Sequence, residues 1–417
     1  MQAGRGSAMY ARAVTTPLLL ALLGAPPVPM DLARFERELR RPMTAERAEA
    51  WAHELKADEK GANVRIEMPL QTSREETGRV AFVLRSTTAK RVAVSFADPT
   101  GGKDLVFDLK RLPGGVWALI QPSSDGAAWR YRYRVDGAPT GEFRQYEAYR
   151  MPPEMVADSA VAKGEVREMP PHASEIYPGT TRPWWVYLPA SFGKAPAPAG
   201  GYNLIVFQDG QWARYWASTC LDNMIAKGTL PPTVAVFVKP GSHEGKDGDN
   251  RAREYDVMSD EYVRMIIDEI LPKVTAIAPL TTDPARRLIA GQSSGGICAF
   301  TAGWERPESF GLVMSWIGSY VNIAALFDKP GGQNYPARVR RTDRKPIRVV
   351  LQDGRQDLDN EWGNWPLANQ TMLAALKYKG YDVKWSFGNG FHSDGQGRAE
   401  MPDSLEWLFR TGRYAPK

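Results

Sequence analysis

Between Trp184 and Phe387 the chain passes through seven short apolar runs, with stretches of helical spacing between several of them and no internal repeat. The runs are Trp184–Leu188, Leu204–Phe207, Val234–Val238, Arg287–Ala290, Val313–Ile317, Ile347–Leu351 and Val383–Phe387. Among the helical stretches, Val263, Ile266, Ile267, Ile270 and Leu271 fall on one face, with a stop expected at Pro272. Strands that alternate with helices predict a mostly parallel sheet with helices on both faces.

Within this region, Gly291-Gln292-Ser293-Ser294-Gly295 fits G-x-S-x-G directly after the run that ends at Ala290. The helical stretch Ile297 to Trp304 follows. The pattern alone is weak, and its strand–turn–helix setting gives it meaning. In that setting a serine occupies a tight elbow with its hydroxyl exposed. Glycines are needed there because a Cβ at Gly291 or Gly295 would meet the neighbouring strand or helix. Ser293 is the candidate nucleophile, and Ser294 is expected to offer its backbone N–H to an oxyanion.

A serine hydroxyl needs a base, and the sequence has only His53, His172, His243 and His392. His53 lies in a leading helical stretch and His172 in a Pro-rich segment, where a solvated role is expected. His243 precedes Ser293 in a polar loop. His392 follows the last apolar run, and with it the order becomes serine, acid, histidine, as in α/β-hydrolases. The acid is expected after Leu351, where Asp353, Asp357 and Asp359 stand. Asp357 is favoured because it has enough loop behind it to reach the imidazole; Asp353 sits so near the strand end that it serves the turn. A second oxyanion donor is expected at the Gln211 amide, in the loop after Phe207. Trp212, Trp216, Trp362 and Trp365 are expected at the rim, where they would stack on an aromatic or sugar group or simply pack. Arg251 and Arg253 either steer an anionic acid moiety or pair with Glu254 and Asp256.

Ahead of this region, residues 63–150 carry short alternating runs, among them Val80–Leu84, Val92–Phe96, Leu105–Leu109, Val116–Ile120 and Trp129–Val135. Asp136-Gly137 after the last is a turn signal, and the spacing predicts a small β-sandwich. Asp31 to Lys56 reads as helical, and residues 151–176, rich in Pro and Met, read as a linker to a domain at 177–417. Residues 1–25, with Arg5 and Arg12 before a short apolar run, resemble a secretory signal peptide, which predicts a periplasmic or secreted protein. The run is too short to span a bilayer.

Composition narrows the chemistry. A net charge of +5 on 417 residues gives no basis for nucleic-acid binding. Two cysteines, Cys220 and Cys298, exclude a disulfide scaffold and a cysteine-rich metal site, and they are read either as one disulfide or as two buried thiols. Asp247 to Asn250 lacks a full cation ligand set and reads as a solvated loop. No metal or cofactor is expected.

These motifs together resemble the esterase D and enterochelin esterase-like group of α/β-hydrolases, related to carbohydrate esterase family 1. The carrying segments are Thr181–Pro189, Val206–Gly210, Arg253–Tyr255 ahead of Asp268–Pro272, Gly291–Gly296, Gly354 with Asp357, Trp362–Asn369 and Gly390–His392. Gly114–Trp117 and Tyr131–Gly137 resemble the immunoglobulin-like module that precedes this hydrolase in such proteins. The resemblance implies an α/β-hydrolase fold behind an immunoglobulin-like sandwich. It also implies a metal-free serine esterase with Ser293, Asp357 and His392 at the triad positions. Its members act on siderophore trilactones, feruloyl and acetyl esters, and simple acyl esters. The leader departs from the cytosolic siderophore esterases, and Asp31–Lys56 matches nothing in the group. The rival expectation is an inactive carbohydrate-binding or scaffold protein, against which the complete serine, acid and histidine set argues.

Overall fold

The computed structural model describes residues 31–58, 64–73, 77–98, 101–245 and 248–410. The leader-like run at 1–25 lies outside them. An eight-stranded sheet dominates, in the order Asp382–Gly388, Arg348–Gly354, Leu312–Trp316, Arg287–Gln292, Asn203–Gln208, Thr233–Val238, Trp184–Leu188 and Glu165–Glu168. The pairings from Asp382–Gly388 across to Thr233–Val238 are parallel, and the last two strands join antiparallel. Every residue of Asn203–Gln208 and Thr233–Val238 is buried, as strands covered on both faces require.

Strand periodicity divides the core in two. Trp184, Val186, Leu204 and Val206 face one side, packed with Ile297, Phe300 and Trp304 of the helix Ser294–Glu305. Trp185, Tyr187, Ile205 and Phe207 face the other, against Ala217, Leu221 and Met224 of the helix Gly210–Lys227 and Leu405 of the helix Gly395–Phe409.

The N-terminal part forms two four-stranded antiparallel sheets. One runs Val64–Glu67, Gly78–Arg85, Val116–Ser123, Lys110–Arg111; the other runs Leu105–Asp108, Val92–Phe96, Ala127–Val135, Ala138–Ala148. Phe82 from the first sheet meets Phe96, Tyr131 and Tyr146 of the second edge-on or tilted, at 5.3–6.0 Å between ring centroids. Ala81 and Val83, alternating with Phe82, point to the opposite face and are covered there by Phe35, Trp51 and Leu55.

Several local expectations are corrected. Asp31–Lys56 is two helices, Leu32–Leu39 and Ala45–Glu54, because Pro42 interrupts the pattern and Thr44 caps the second by accepting the Arg47 N–H. The helix expected to stop at Pro272 continues to Thr275, since a π-helical stretch at Met265–Ile270 lets the proline enter at the start of a new α turn. The segment 151–176 is no free linker: Glu165–Glu168 forms the outer strand of the large sheet. His172, expected in solvent, is buried, with Nε2 2.7 Å from Glu269 and Nδ1 2.8 Å from Lys273. Cys220 and Cys298 are both buried free thiols. Among the described residues no helix is long and apolar enough to cross a membrane.

Candidate active site

The strand Arg287–Gln292 ends at Ser293, and the helix Ser294–Glu305 begins immediately after it. Ser293 has φ 57° and ψ −126°, a conformation that costs a non-glycine residue on the order of 1–3 kcal/mol. The Ser293 N–H donates to Trp316 O at 2.9 Å, and Ser293 O accepts from Ser319 N–H at 3.1 Å, so neighbouring strand-end segments hold the turn. A side chain at Gly291 would drive into the Gly295 backbone; one at Gly295 would crowd Gln208 and Asp209 at 3.1 Å.

Two further strand ends supply partners. His392, after Asp382–Gly388, brings Nε2 to 2.7 Å from Ser293 Oγ. Its Nδ1 lies 2.5 Å from Oδ1 of Asp357, which follows Arg348–Gly354. Because an ionised carboxylate only accepts, Nδ1 carries the proton and Nε2 is free to accept from the serine hydroxyl. An imidazole so placed can take that proton as the oxygen attacks an electrophilic carbon. Burial lowers the His392 pKa from 6.5 to about 4, with the Arg251 charge assisting.

Asp359, weighed as the alternative acid, is exposed. Asp353 is fully buried and lies against Asp357. Burial first, and then the adjacent Asp357 carboxyl, push its pKa up, so Asp353 keeps its proton and donates it to Asp357. Burial raises Asp357 as well, while the hydrogen bonds from Asp353 and Leu358 N–H pull it back towards the ionised form.

Ser294 and Gln211 occupy the first turns of the helices Ser294–Glu305 and Gly210–Lys227, where leading N–H groups have no intrahelical acceptor. Nearby Asp256 is buried, and burial pushes its carboxyl up to about 7. Asp209, left-handed at φ 52°, precedes Gly210, at which any side chain would strike the Phe237–Val238 backbone.

The expected aromatic rim is only partly formed. Trp212 is 49% exposed and available to a ligand. Trp216 packs inward, stacked on Trp316 at 5.7 Å. Trp362 is half-buried against Trp365 and Val321. Trp365 corrects the expectation of a rim platform, because it is 1% exposed. Its ring stands edge-on to His392 at 5.8 Å, and Nε1 donates to Ser319 Oγ at 3.2 Å. Ser319 Oγ is in turn 3.5 Å from Ser293 Oγ.

Arg253 is also corrected, for it pairs with Glu261 at 2.9 Å instead of waiting for an anion or binding Glu254. Glu254 belongs to buried Arg182, at 2.6 Å. Arg251 grips Asp209 in a two-pronged contact of 2.9 and 2.8 Å and lies over Tyr255 at 5.5 Å. Sequence reasoning missed the Asp209 pairing, Ser319, and the contact with Asp353. The signal for Ser319 was its place just after the strand Leu312–Trp316. No cluster of His, Cys, Asp or Glu suited to a metal occurs among the described residues.

Known proteins place this geometry in context. The Esterase family matches residues 176–398. The iron(III) enterobactin esterase of Dickeya dadantii is 28% identical over 287 residues, 63% of this chain and 62% of its own length. That of Escherichia coli O6:H1 is 35% identical over 207 residues, 48% of each chain. The chain thus spans about half to three fifths of the length of the curated relatives it matches. The enterobactin esterase FES from Shigella flexneri, solved in the presence of enterobactin, superposes with a TM-score of 0.59 at 22% identity, covering 83% of this chain and 95% of that one. That likeness shows a shared fold, and the sheet order with its strand–serine–helix turn is of the α/β-hydrolase type. With a family match running over more than half of its length, this chain belongs to the Esterase family.

Proposed function

We propose that this protein hydrolyses carboxylic esters through an acyl-enzyme formed on Ser293. The observation that carries this reading is the continuous line from Asp357 Oδ1 through His392 to Ser293 Oγ, at 2.5 and 2.7 Å. His392 takes the hydroxyl proton as Ser293 Oγ attacks the ester carbonyl, and Asp357 fixes the imidazole tautomer and stabilises the imidazolium. The Ser294 amide and the Gln211 amide receive the oxyanion. His392 then protonates the departing alcohol, and water repeats the sequence on the acyl group. No step calls for a metal or cofactor.

Among substrates, a siderophore lactone is favoured over feruloyl or acetyl esters, because the relatives named above are iron(III) enterobactin esterases. Exposed Trp212 offers an aromatic face to an aryl ligand. We assign residues 63–150 to an immunoglobulin-like module, 177–417 together with the outer strand Glu165–Glu168 to the body of the hydrolase, and the basic and apolar start to export into the periplasm or medium. The decisive experiment is hydrolysis of p-nitrophenyl acetate and labelling by a fluorophosphonate, with wild type beside Ser293→Ala. Undiminished turnover or labelling of the variant overturns the assignment. Ferric enterobactin, methyl ferulate and acetylated xylan, compared by kcat/KM, rank the substrate classes.

A further inference from the structure

We propose that Glu147, a residue of the N-terminal sandwich, is a positioning residue for His392, holding the loop that carries the imidazole on both sides of the histidine. The role rests on the reading of Ser293 and His392 as the working pair. Glu147 Oε1 accepts the Phe391 N–H at 2.6 Å, and the Ser393 hydroxyl donates to Oε2. The two donors flank His392 in sequence, so one carboxylate restrains the backbone immediately before and after the imidazole. The Tyr149 hydroxyl, 3.4 Å from Oε1, closes the group.

The contact extends beyond a single carboxylate. Glu147 stands opposite Ala128 in the register of Ala127–Val135 with Ala138–Ala148. Ala128 O accepts from Gln356 Nε2 at 2.9 Å, and Gln356 adjoins Asp357. One cross-strand pair of the sandwich therefore touches both the acid loop and the histidine loop. Asn389 Nδ2 donates to Gly126 O at 3.3 Å, and the Arg130 guanidinium sits 5.7 Å from the Phe391 ring. At Gly390 a Cβ would come within 2.9 Å of Glu147 Oε1 and 2.7 Å of the Tyr149 hydroxyl, so only glycine lets the loop approach this closely. Burial raises the Glu147 carboxyl, and the hydrogen bonds from Ser393 and Phe391 oppose that shift; the donors that stabilise its charge belong to the loop it holds. A cavity of about 480 Å³, lined by Met68, Leu70, Glu147, Tyr149 and Ser393 among others, borders the contact. Truncating Glu147 would enlarge it and leave the loop without its acceptor.

The test uses the full chain and p-nitrophenyl acetate. Glu147→Ala is expected to lower kcat about 10- to 100-fold with KM changed less than about threefold, the effect of a base displaced by a fraction of an ångström to an ångström. Glu147→Gln keeps an acceptor for the Phe391 N–H and should recover kcat to within about threefold of wild type. A kcat in Glu147→Ala within about twofold of wild type, or a loss that glutamine fails to recover, overturns the proposal. If Glu147→Ala does not fold, Ser393→Ala and Glu147→Gln carry the test. Ser393→Ala should lower kcat about 3- to 10-fold at unchanged KM, and wild-type kcat in Ser393→Ala refutes the role. Ser293→Ala separates this proposal from the reading beneath it. A silent Ser293→Ala with unaffected Glu147→Ala sinks the positioning role alone, whereas an active Ser293→Ala removes the ester reading and this proposal with it.

Discussion

Asp353 lies carboxyl against carboxyl with Asp357, and only Asp357 reaches His392 Nδ1. Asp353 also accepts the Gly354 N–H at 2.8 Å, so its orientation is set by the strand end itself. The arrangement leaves one acid neutral as a donor and the other ionised as an acceptor, which gives the two aspartates separable roles.

Replacing Asp353 with asparagine should preserve turnover, because the amide N–H₂ replaces the protonated carboxyl as donor to Asp357. Asp353→Ala should lower kcat several-fold and cost about 1–3 kcal/mol of stability by leaving Asp357 short of a buried partner. Above the ordinary carboxyl value of 3.8 the unfolded chain loses the Asp353 proton that the folded chain keeps. Folding stability from this group therefore falls as pH rises. Urea unfolding of wild type and Asp353→Asn between about pH 5 and about pH 8 should show a gap that widens with pH in favour of asparagine.

His392 must be neutral to act as a base. With its pKa lowered from 6.5 to about 4 by burial, the acid limb of kcat/KM should fall well below pH 6.5. A kcat/KM profile on p-nitrophenyl acetate checks this, and a half-maximal point above the ordinary imidazole value contradicts it.

Ser293 carries positive φ because the elbow demands it. Ser293→Gly should abolish turnover by at least about 10³-fold and raise unfolding free energy by about 1 kcal/mol, since glycine adopts that backbone without strain. Denaturant unfolding beside the activity assay reads both. Loss of stability in the glycine variant would count against strain at the turn.

Arg253 and Arg251 should part company. Arg253, paired with Glu261 near the surface, is expected to tolerate alanine with less than about 1 kcal/mol lost and kcat/KM within about twofold. Arg251→Met strands the buried Asp209 carboxylate and should destabilise by about 3–5 kcal/mol, as thermal unfolding of the two variants side by side will show.

What the sequence made legible was local. Ser293 between an apolar strand and a helix, His392 after the last strand, and Asp357 at the end of a short loop each stand beside the strand that positions them. Periodicity of 2 and 3.6 was enough to find those elements. Ala138–Ala148, with two glycine or proline positions and several charges, lacks that signal and is held as a strand by its pairing with Ala127–Val135. Trp365 looked like a rim residue because nothing nearby in sequence reveals that Ser319 and His392 enclose it. Glu147 reaches a loop 244 positions away from its own, a contact that no window along the chain contains. Arg251 stands close in sequence to Glu254 and Asp256, yet it pairs with Asp209, 42 positions distant.

The outer strand at Glu165–Glu168 bears on how this protein can be dissected. Ahead of it, Asn223 Nδ2 donates to the carbonyls of Glu154 and Val156 at 2.9 Å, and Asp222 accepts the Gly164 N–H at 2.7 Å. A gene fragment opened at codon 177 would express a hydrolase stripped of its rim strand and of this stapled approach. One opened just before Pro152 keeps both but loses Glu147, so only a piece that also carries the sandwich keeps the histidine loop's acceptor.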